Sequence, residues 1–162
     1  MREKLLPGLI AVVLVTGLVA GILYTTRNNA VQLEGQILKV RSQTTESGST
    51  IAIIDFRVHN PSTQQFLVRD VAVKLDVKNG RTVDGAIFRE AEIPGLLHFY
   101  TLLGPKYNQT LLARDKIESG QSIDRMLAVQ FPLNDDGVQT RGAIRIFVTD
   151  VDGATKEIRE QR

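Results

Sequence analysis

The chain has 162 residues, with 20 basic against 18 acidic side chains, two histidines and no cysteine. The lack of cysteine excludes disulfides, thiolate nucleophiles, thiolate zinc sites and lipid attachment at a lipobox thiol. Arg2, Lys4 and Arg27 outweigh Glu3 at the N-terminus, whereas from Asn28 onward 17 basic residues meet 17 acidic ones, so the basic isoelectric point reflects the N-terminal flank and not a nucleic-acid-binding face.

The first element is Leu5–Tyr24, LLPGLIAVVLVTGLVAGILY, 20 positions without a charge. At about 1.5 Å of rise per residue a helix of this length covers roughly 30 Å, the thickness of a bilayer's hydrocarbon core. Arg2 and Lys4 precede it and only Arg27 follows closely. The expected orientation therefore has the N-terminus cytoplasmic and the C-terminal domain extracytoplasmic, either periplasmic or extracellular. A cleaved signal peptide is the competing reading. Its apolar core runs only about 7–15 residues, and a cut after Ala20 would place bulky Leu18 where a small residue is required. A type IV prepilin leader would need a glutamate where Val13 stands. Gly17 and Gly21, beside Thr16 and Ala20, are candidates for close helix–helix packing and hence a homodimer.

Thr25–Ala30 is polar and aperiodic and reads as a tether. The expected organisation is residues 1–24 as flank and transmembrane helix, 25–31 as tether, and 32–162 as one domain, since about 130 residues suffice for one core and not for two. From there apolar residues recur with period two. Strands are expected near Gln32–Val40, Thr50–His59, Leu67–Lys78, Arg81–Phe88, Ser122–Phe131, Gly142–Asp150 and Ala154–Arg159. In the second, Ala52, Ile54, Phe56 and Val58 face the core while Asp55, Arg57 and His59 face water. In Ser122–Phe131, Arg125 breaks the inward alternation and is expected at the wet start of the strand. Asn60-Pro61 ends the second strand, and Asn79-Gly80 and Asp152-Gly153 are expected in tight primed hairpin turns. The fold class is mainly β: a transmembrane helix, then an immunoglobulin-like antiparallel β-sandwich with a short helical or irregular insertion at 89–110.

In that insertion, REAEIPGLLHFYTLLGPKYNQT, Pro94 suits a first helical turn, Leu96, Leu97, Tyr100 and Leu103 share a helical face, and Gly104-Pro105 stops the helix. Two readings stand: a structural one, a lid closing an open end of the core or an irregular strand, and a functional one, an apolar surface for a protein partner or lipid. Leu96, Leu97, His98, Phe99 and Tyr100 are the contact candidates, with His98 and Phe99 off the buried stripe.

The run Ile54–Ser62, IDFRVHNPS, followed by Phe66–Leu75, resembles the late embryogenesis abundant group 2 domain, also called the water stress and hypersensitive response domain. Ile117–Ile123 leading into Leu127–Phe131 looks like that family's closing turn and strand, and like turns of small bacterial envelope immunoglobulin-like domains. The resemblance covers about Thr50–Phe131 and departs from it at Arg89–Thr110. It implies a binding or protective module behind a membrane anchor and supplies no catalytic motif.

His59 and His98 form no metal pair, and the acidic groups at Asn134–Gly137 and Asp150–Gly153 lack the calcium-loop pattern and fall at opposite ends of the sandwich. Pro61–Gln65 and Asn134–Arg141 are expected to share one end, with Asn79-Gly80, Glu118–Gln121 and Asp152-Gly153 at the other. Asn108-Gln109-Thr110 is a glycosylation sequon. The function expected is that of a membrane-anchored extracytoplasmic binding module with a protein partner in the envelope and with no catalysis, cofactor or metal. A carrier of lipid or small apolar ligands would need a cavity of roughly 300 Å³ or more between the sheets or beneath Leu96–Leu103. An envelope enzyme would need convergent polar groups in a cleft.

Overall fold

The computed structural model describes residues 13–21 and 31–161. The chain divides into two compact units, Met1–Ala30 and Val31–Arg162. In the first, residues 13–21 form a helix, α1, whose Val13, Leu14, Val15 and Leu18 are all exposed. Among the described residues no helix is long and apolar enough to cross a membrane. The rest of the predicted Leu5–Tyr24 span, residues 5–12 and 22–24, lies outside them.

The second unit is mainly β. Its strands are β1 (Glu34–Thr44), β2 (Thr50–His59), β3 (Phe66–Asp76), β4 (Thr82–Ile87), the two-residue β5 (Gln109–Thr110) and β6 (Lys116–Ile117), then β7 (Ser122–Phe131), β8 (Ala143–Asp150) and β9 (Thr155–Arg159). Two short helices accompany them, α2 (Ile93–Phe99) and α3 (Asp135–Gln139). The strands follow the order β1-β2-β7-β4-β3-β8-β9, antiparallel along this path, with β5 parallel to β7 and β6 antiparallel to β3 on the side. Alternation supplies the core: Ala52, Ile54, Phe56 and Val58 of β2 meet Val73 and Leu75 of β3, Leu127, Val129 and Phe131 of β7 and Ile144, Ile146 and Val148 of β8, none more than 2% exposed. Val31 and Leu33 are buried in the same cluster, so the body begins at Val31, within the segment expected to be tether.

Strand β4 is where the sheet curls. Its Thr82–Gly85 pairs with β3 and its Ala86 and Ile87 with β7, so one short strand serves both layers. At Gly85 a Cβ would stand 2.3 Å from Val129 Cγ1 and 2.8 Å from Phe131 Cε1, both inside the core. Gly85→Val is therefore expected to destabilise the domain by about 2–3 kcal/mol through overpacking. Urea unfolding measures it, and an unchanged midpoint would contradict the close approach.

The hairpin turns differ from the tight primed type expected. In Thr45–Ser49, Val77–Arg81 and Asp150–Ala154 the first residue's N–H donates to the last residue's carbonyl, and only the fourth residue (Gly48, Gly80 or Gly153) has positive φ. Asn79 and Asp152 stay at negative φ, so each loop needs one glycine and no left-handed asparagine or aspartate.

The loop ends also differ from expectation. Asn60 N–H donates to Gln121 O (3.0 Å) and Val151 N–H to Leu67 O (3.0 Å), so Pro61–Gln65, Glu118–Gln121 and Asp152-Gly153 share one end. Gly142 N–H donates to Asp76 O (2.7 Å), placing Asn134–Arg141 with Asn79-Gly80 at the other. Residues 89–110 do not carry the chain from one end to the other. Instead Phe88 N–H donates to Ala128 O and Leu111 N–H to Met126 O, so the insertion leaves and rejoins β7 two residues apart. The two acidic groups do fall at opposite ends, and Asn134 Oδ1 caps α3 by accepting from Gly137 N–H (3.0 Å).

Candidate functional site

The outer face of the β2–β7 pair reads only partly as a wet face. Ile51 and Ile53 of β2 and Met126 and Ala128 of β7 point away from the main core, and the insertion covers them with Ile93, Leu96 and Leu103 to make a second, smaller core. The insertion is thus a pad on a sheet face, not a lid on an open end. It consists of a turn of 3₁₀ helix (Glu90–Glu92), α2 and another 3₁₀ turn (Thr101–Leu103). The two helical pieces are linked by bonds from Tyr100 N–H to Leu96 O (2.9 Å) and Leu103 N–H to Tyr100 O (3.0 Å). Pro94 lies in the first turn of α2, as expected.

Asp55, expected on the wet face, is 4% exposed beneath the pad's far edge. Its Oδ2 accepts from Arg41 Nη2 at 2.9 Å and its Oδ1 from Asn108 Nδ2 at 2.9 Å. Arg41 Nη1 donates to the carbonyls of Leu103 and Pro105, the latter at 2.9 Å, and its guanidinium lies 4.9 Å from the Tyr107 ring centre. One cation, its side chain only 10% exposed, therefore fastens the pad's second turn to β1 and β2. Arg41 lies beyond the end expected for the first strand, which continues to Thr44. The sequon is part of this clamp: Asn108 is half-buried on Asp55 and Thr110 is buried, so the folded domain does not present it as a glycan acceptor.

Of the five contact candidates, the structure buries Leu96, leaves Leu97 and Tyr100 half-buried and exposes His98 and Phe99. Phe99 is 72% exposed, its ring edge-on to Tyr100 at 4.9 Å. Two further large side chains of the insertion, outside the five candidates, are also exposed, Leu102 at 80% and Tyr107 at 63%. For Leu102 the signal is the same helical periodicity: with Leu96, Leu97, Tyr100 and Leu103 on one face, position 102 falls on the opposite one. Arg125, expected at a wet strand start, is half-buried with Nε 3.5 Å from Asp115 Oδ2, and His59 meets Ser122 Oγ at 2.9 Å through Nδ1. Two clefts of about 290 Å³ each open elsewhere, one beside Glu34, Arg57 and His59, the other beside Ser49, Asp84 and Gln130. Neither lies between the sheets or beneath the pad. Among the described residues no group of three or more His, Cys, Asp or Glu is placed to hold a metal ion.

Three carboxyls are held below their ordinary range. Lys106, hydrogen-bonded to Glu90, lowers that group and ties the pad's first turn to its last. Arg57 does the same to Asp124. For Asp76, burial pushes upward, but hydrogen bonds from Arg145 (2.7 Å) and Thr82 (2.9 Å) and the charges of Arg145 and Arg159 outweigh it. A depressed folded pKa gives stability that is complete above the ordinary carboxylate range, about 4, and is lost as pH falls through the folded value. Chemical denaturation should therefore show a midpoint that is level near neutrality and falls below about pH 4. Asp76→Asn should flatten that fall, and an equal slope in the variant would refute the assignment.

No protein-family model matches the chain, and no curated protein sequence does. Among solved structures it is similar to an ApaG protein of Pseudomonas aeruginosa at 12% identity, over 73% of this chain and 94% of that one, with a TM-score of 0.39. It is also similar to the archaellum periplasmic stator protein FlaG of Sulfolobus acidocaldarius at 14% identity, over 80% and 99%, with a TM-score of 0.37. A third is an uncharacterised β-sandwich protein of Clostridium difficile at 14% identity, over 81% of each chain, with a TM-score of 0.32. At these scores the likenesses carry no argument about function.

Proposed function

We propose that this chain is a single-pass membrane protein whose extracytoplasmic immunoglobulin-like domain works by binding, without catalysis, and that the pad is its contact surface. One observation carries the reading. A 22-residue excursion that follows β4, clamped by Arg41 and by Glu90–Lys106, holds Phe99 and Leu102 out in solvent. Exposed apolar patches rimmed by polar residues mark interaction sites, and Phe99 and Leu102 are the most exposed large apolar side chains of Val31–Arg162 among the described residues. The uncharged stretch Leu5–Tyr24 supports the anchor, and Arg2 and Lys4 support a cytoplasmic N-terminus. The resemblance of Thr50–Phe131 to the late embryogenesis abundant group 2 domain supports a binding or protective module. The carrier reading is not favoured, because the space beneath Leu96–Leu103 is filled by Ile51, Ile53, Met126 and Ala128.

The test is photocrosslinking in the native membrane, with benzoylphenylalanine in place of Phe99, Leu102 or Asn79 in the full-length chain. Covalent adducts of protein or lipid are expected at 99 and 102 and not at 79, an exposed turn. No adduct at 99 or 102 would overturn the pad as a contact surface.

A further inference from the structure

We propose that the partner of the pad is the lipid surface itself: Phe99 and Leu102, with Tyr107 beside Lys39, seat in the headgroup layer of the bilayer that Leu5–Tyr24 enters. The inference rests on the anchored reading above and names what the pad meets.

Four observations converge on lipid. The exposed group combines a phenylalanine, a leucine and a tyrosine, and aromatic rings with a polar tip favour the boundary between headgroups and acyl chains. Tyr107 lies 5.9 Å from the ammonium of Lys39, which is exposed, so a cation stands where phosphates would lie. The only acidic residues of 89–110 are Glu90 and Glu92. Lys106 holds the first and the Arg89 N–H donates to the second (2.8 Å), so both carboxylates are occupied within the pad. The backbone beneath the exposed side chains bonds internally, Gly104 N–H to Thr101 O included (3.1 Å), so a less polar medium would strand few donors.

A stable protein interface needs about 800 Å² per partner and some 20–30 residues a side, whereas this group is three side chains. For a lipid surface three suffice, because the tether raises the effective concentration. Only six residues, Thr25–Ala30, separate Tyr24 from the body at Val31, a reach of at most about 25 Å.

The chain has no cysteine, so one introduced thiol is a unique labelling site. The full-length protein, carrying Phe99→Cys, Leu102→Cys or Asn79→Cys labelled with a nitrobenzoxadiazole dye, is reconstituted into vesicles of equal parts phosphatidylcholine and phosphatidylglycerol and floated. Labels at 99 and 102 should shift to the blue and lose roughly half their emission or more to lipids spin-labelled high on the acyl chain, while the label at 79 stays water-like. Leu102→Asp should reduce the quenching of a label at 99. If the chain floats but labels at 99 and 102 are quenched no more than the one at 79, the lipid assignment is overturned while the anchor stands. Failure to float overturns the anchor reading and this inference with it. A protein adduct at 99 in the crosslinking experiment, with no lipid adduct, would assign the pad to a protein and overturn the lipid.

Discussion

Arg41→Met is expected to destabilise the domain by about 3–5 kcal/mol, since removing one member of a buried ion pair leaves the other charge without compensation. The side chains of Arg41 and Asp55 are 10% and 6% exposed, and the guanidinium also holds the carbonyls of Leu103 and Pro105. Methionine keeps much of the stem's volume and loses all of these bonds. Urea unfolding gives the global loss. Amide hydrogen exchange gives the local one, with protection at Leu103 and Gly104 falling further than at Ile54 or Val129 in the main core. The double variant Arg41→Met, Asp55→Leu should recover most of the global loss, because it removes both charges together. If Arg41→Met costs under about 1 kcal/mol, the pair behaves as a surface one and the clamp is refuted. The variant also bears on function: Phe99 and Leu102 depend on the clamped turn for their presentation, so their crosslinking should weaken while the anchor is untouched.

The second large effect is expected at Asn60, which is wholly buried. Its Nδ2 donates to Gln64 O (2.8 Å) and Ile117 O (2.9 Å), and its Oδ1 accepts from Ser62 N–H (3.0 Å), joining three strand ends at one pole of the sandwich. Asn60→Asp changes one atom type and leaves the volume alone. It turns two donated bonds into two contacts between a carboxylate and carbonyl oxygens, for a loss of about 2–4 kcal/mol near neutral pH. Burial and those carbonyls favour the protonated acid, so the folded variant's pKa would lie above the unfolded one and its deficit should shrink as the pH falls toward 4. Thermal or urea unfolding from pH 7 to pH 4 measures both features. A variant within about 0.5 kcal/mol of the parent would show that the amide donors do not hold this end.

Much of the fold is legible in the residues, for a simple reason. Period-two patterning records which side of a strand is buried, and the bounds expected for β2 and β7 coincide with those observed. Asn60-Pro61 also marks a true strand end, although the pattern says nothing of the amide's bonds to Gln64 and Ile117, which lie in other segments. The second core was partly legible. Ile51–Ile54 is a continuous apolar run, the sign of a strand buried on both faces, and reading only Asp55, Arg57 and His59 on the outer side passed over Ile51 and Ile53. In the candidate site, the apolar stripe identified the pad and set His98 and Phe99 outside it. It also assigned Leu96 to contact, where the tertiary structure makes it core.

The sequence by itself determined that Leu5–Tyr24 carries no charge, that the body is a mainly-β domain of seven principal strands, and that 89–110 is foreign to their rhythm. These are properties of neighbouring residues, and periodicity or composition reads them directly. Only the tertiary structure decided which face the insertion covers, that Arg41 and Asp55 meet beneath it, which loops share an end, and that Leu102 and Tyr107, like Phe99, are left exposed. Each of those depends on contacts between segments far apart in the chain, and such contacts are selected by the packing of the whole domain and not by any local pattern.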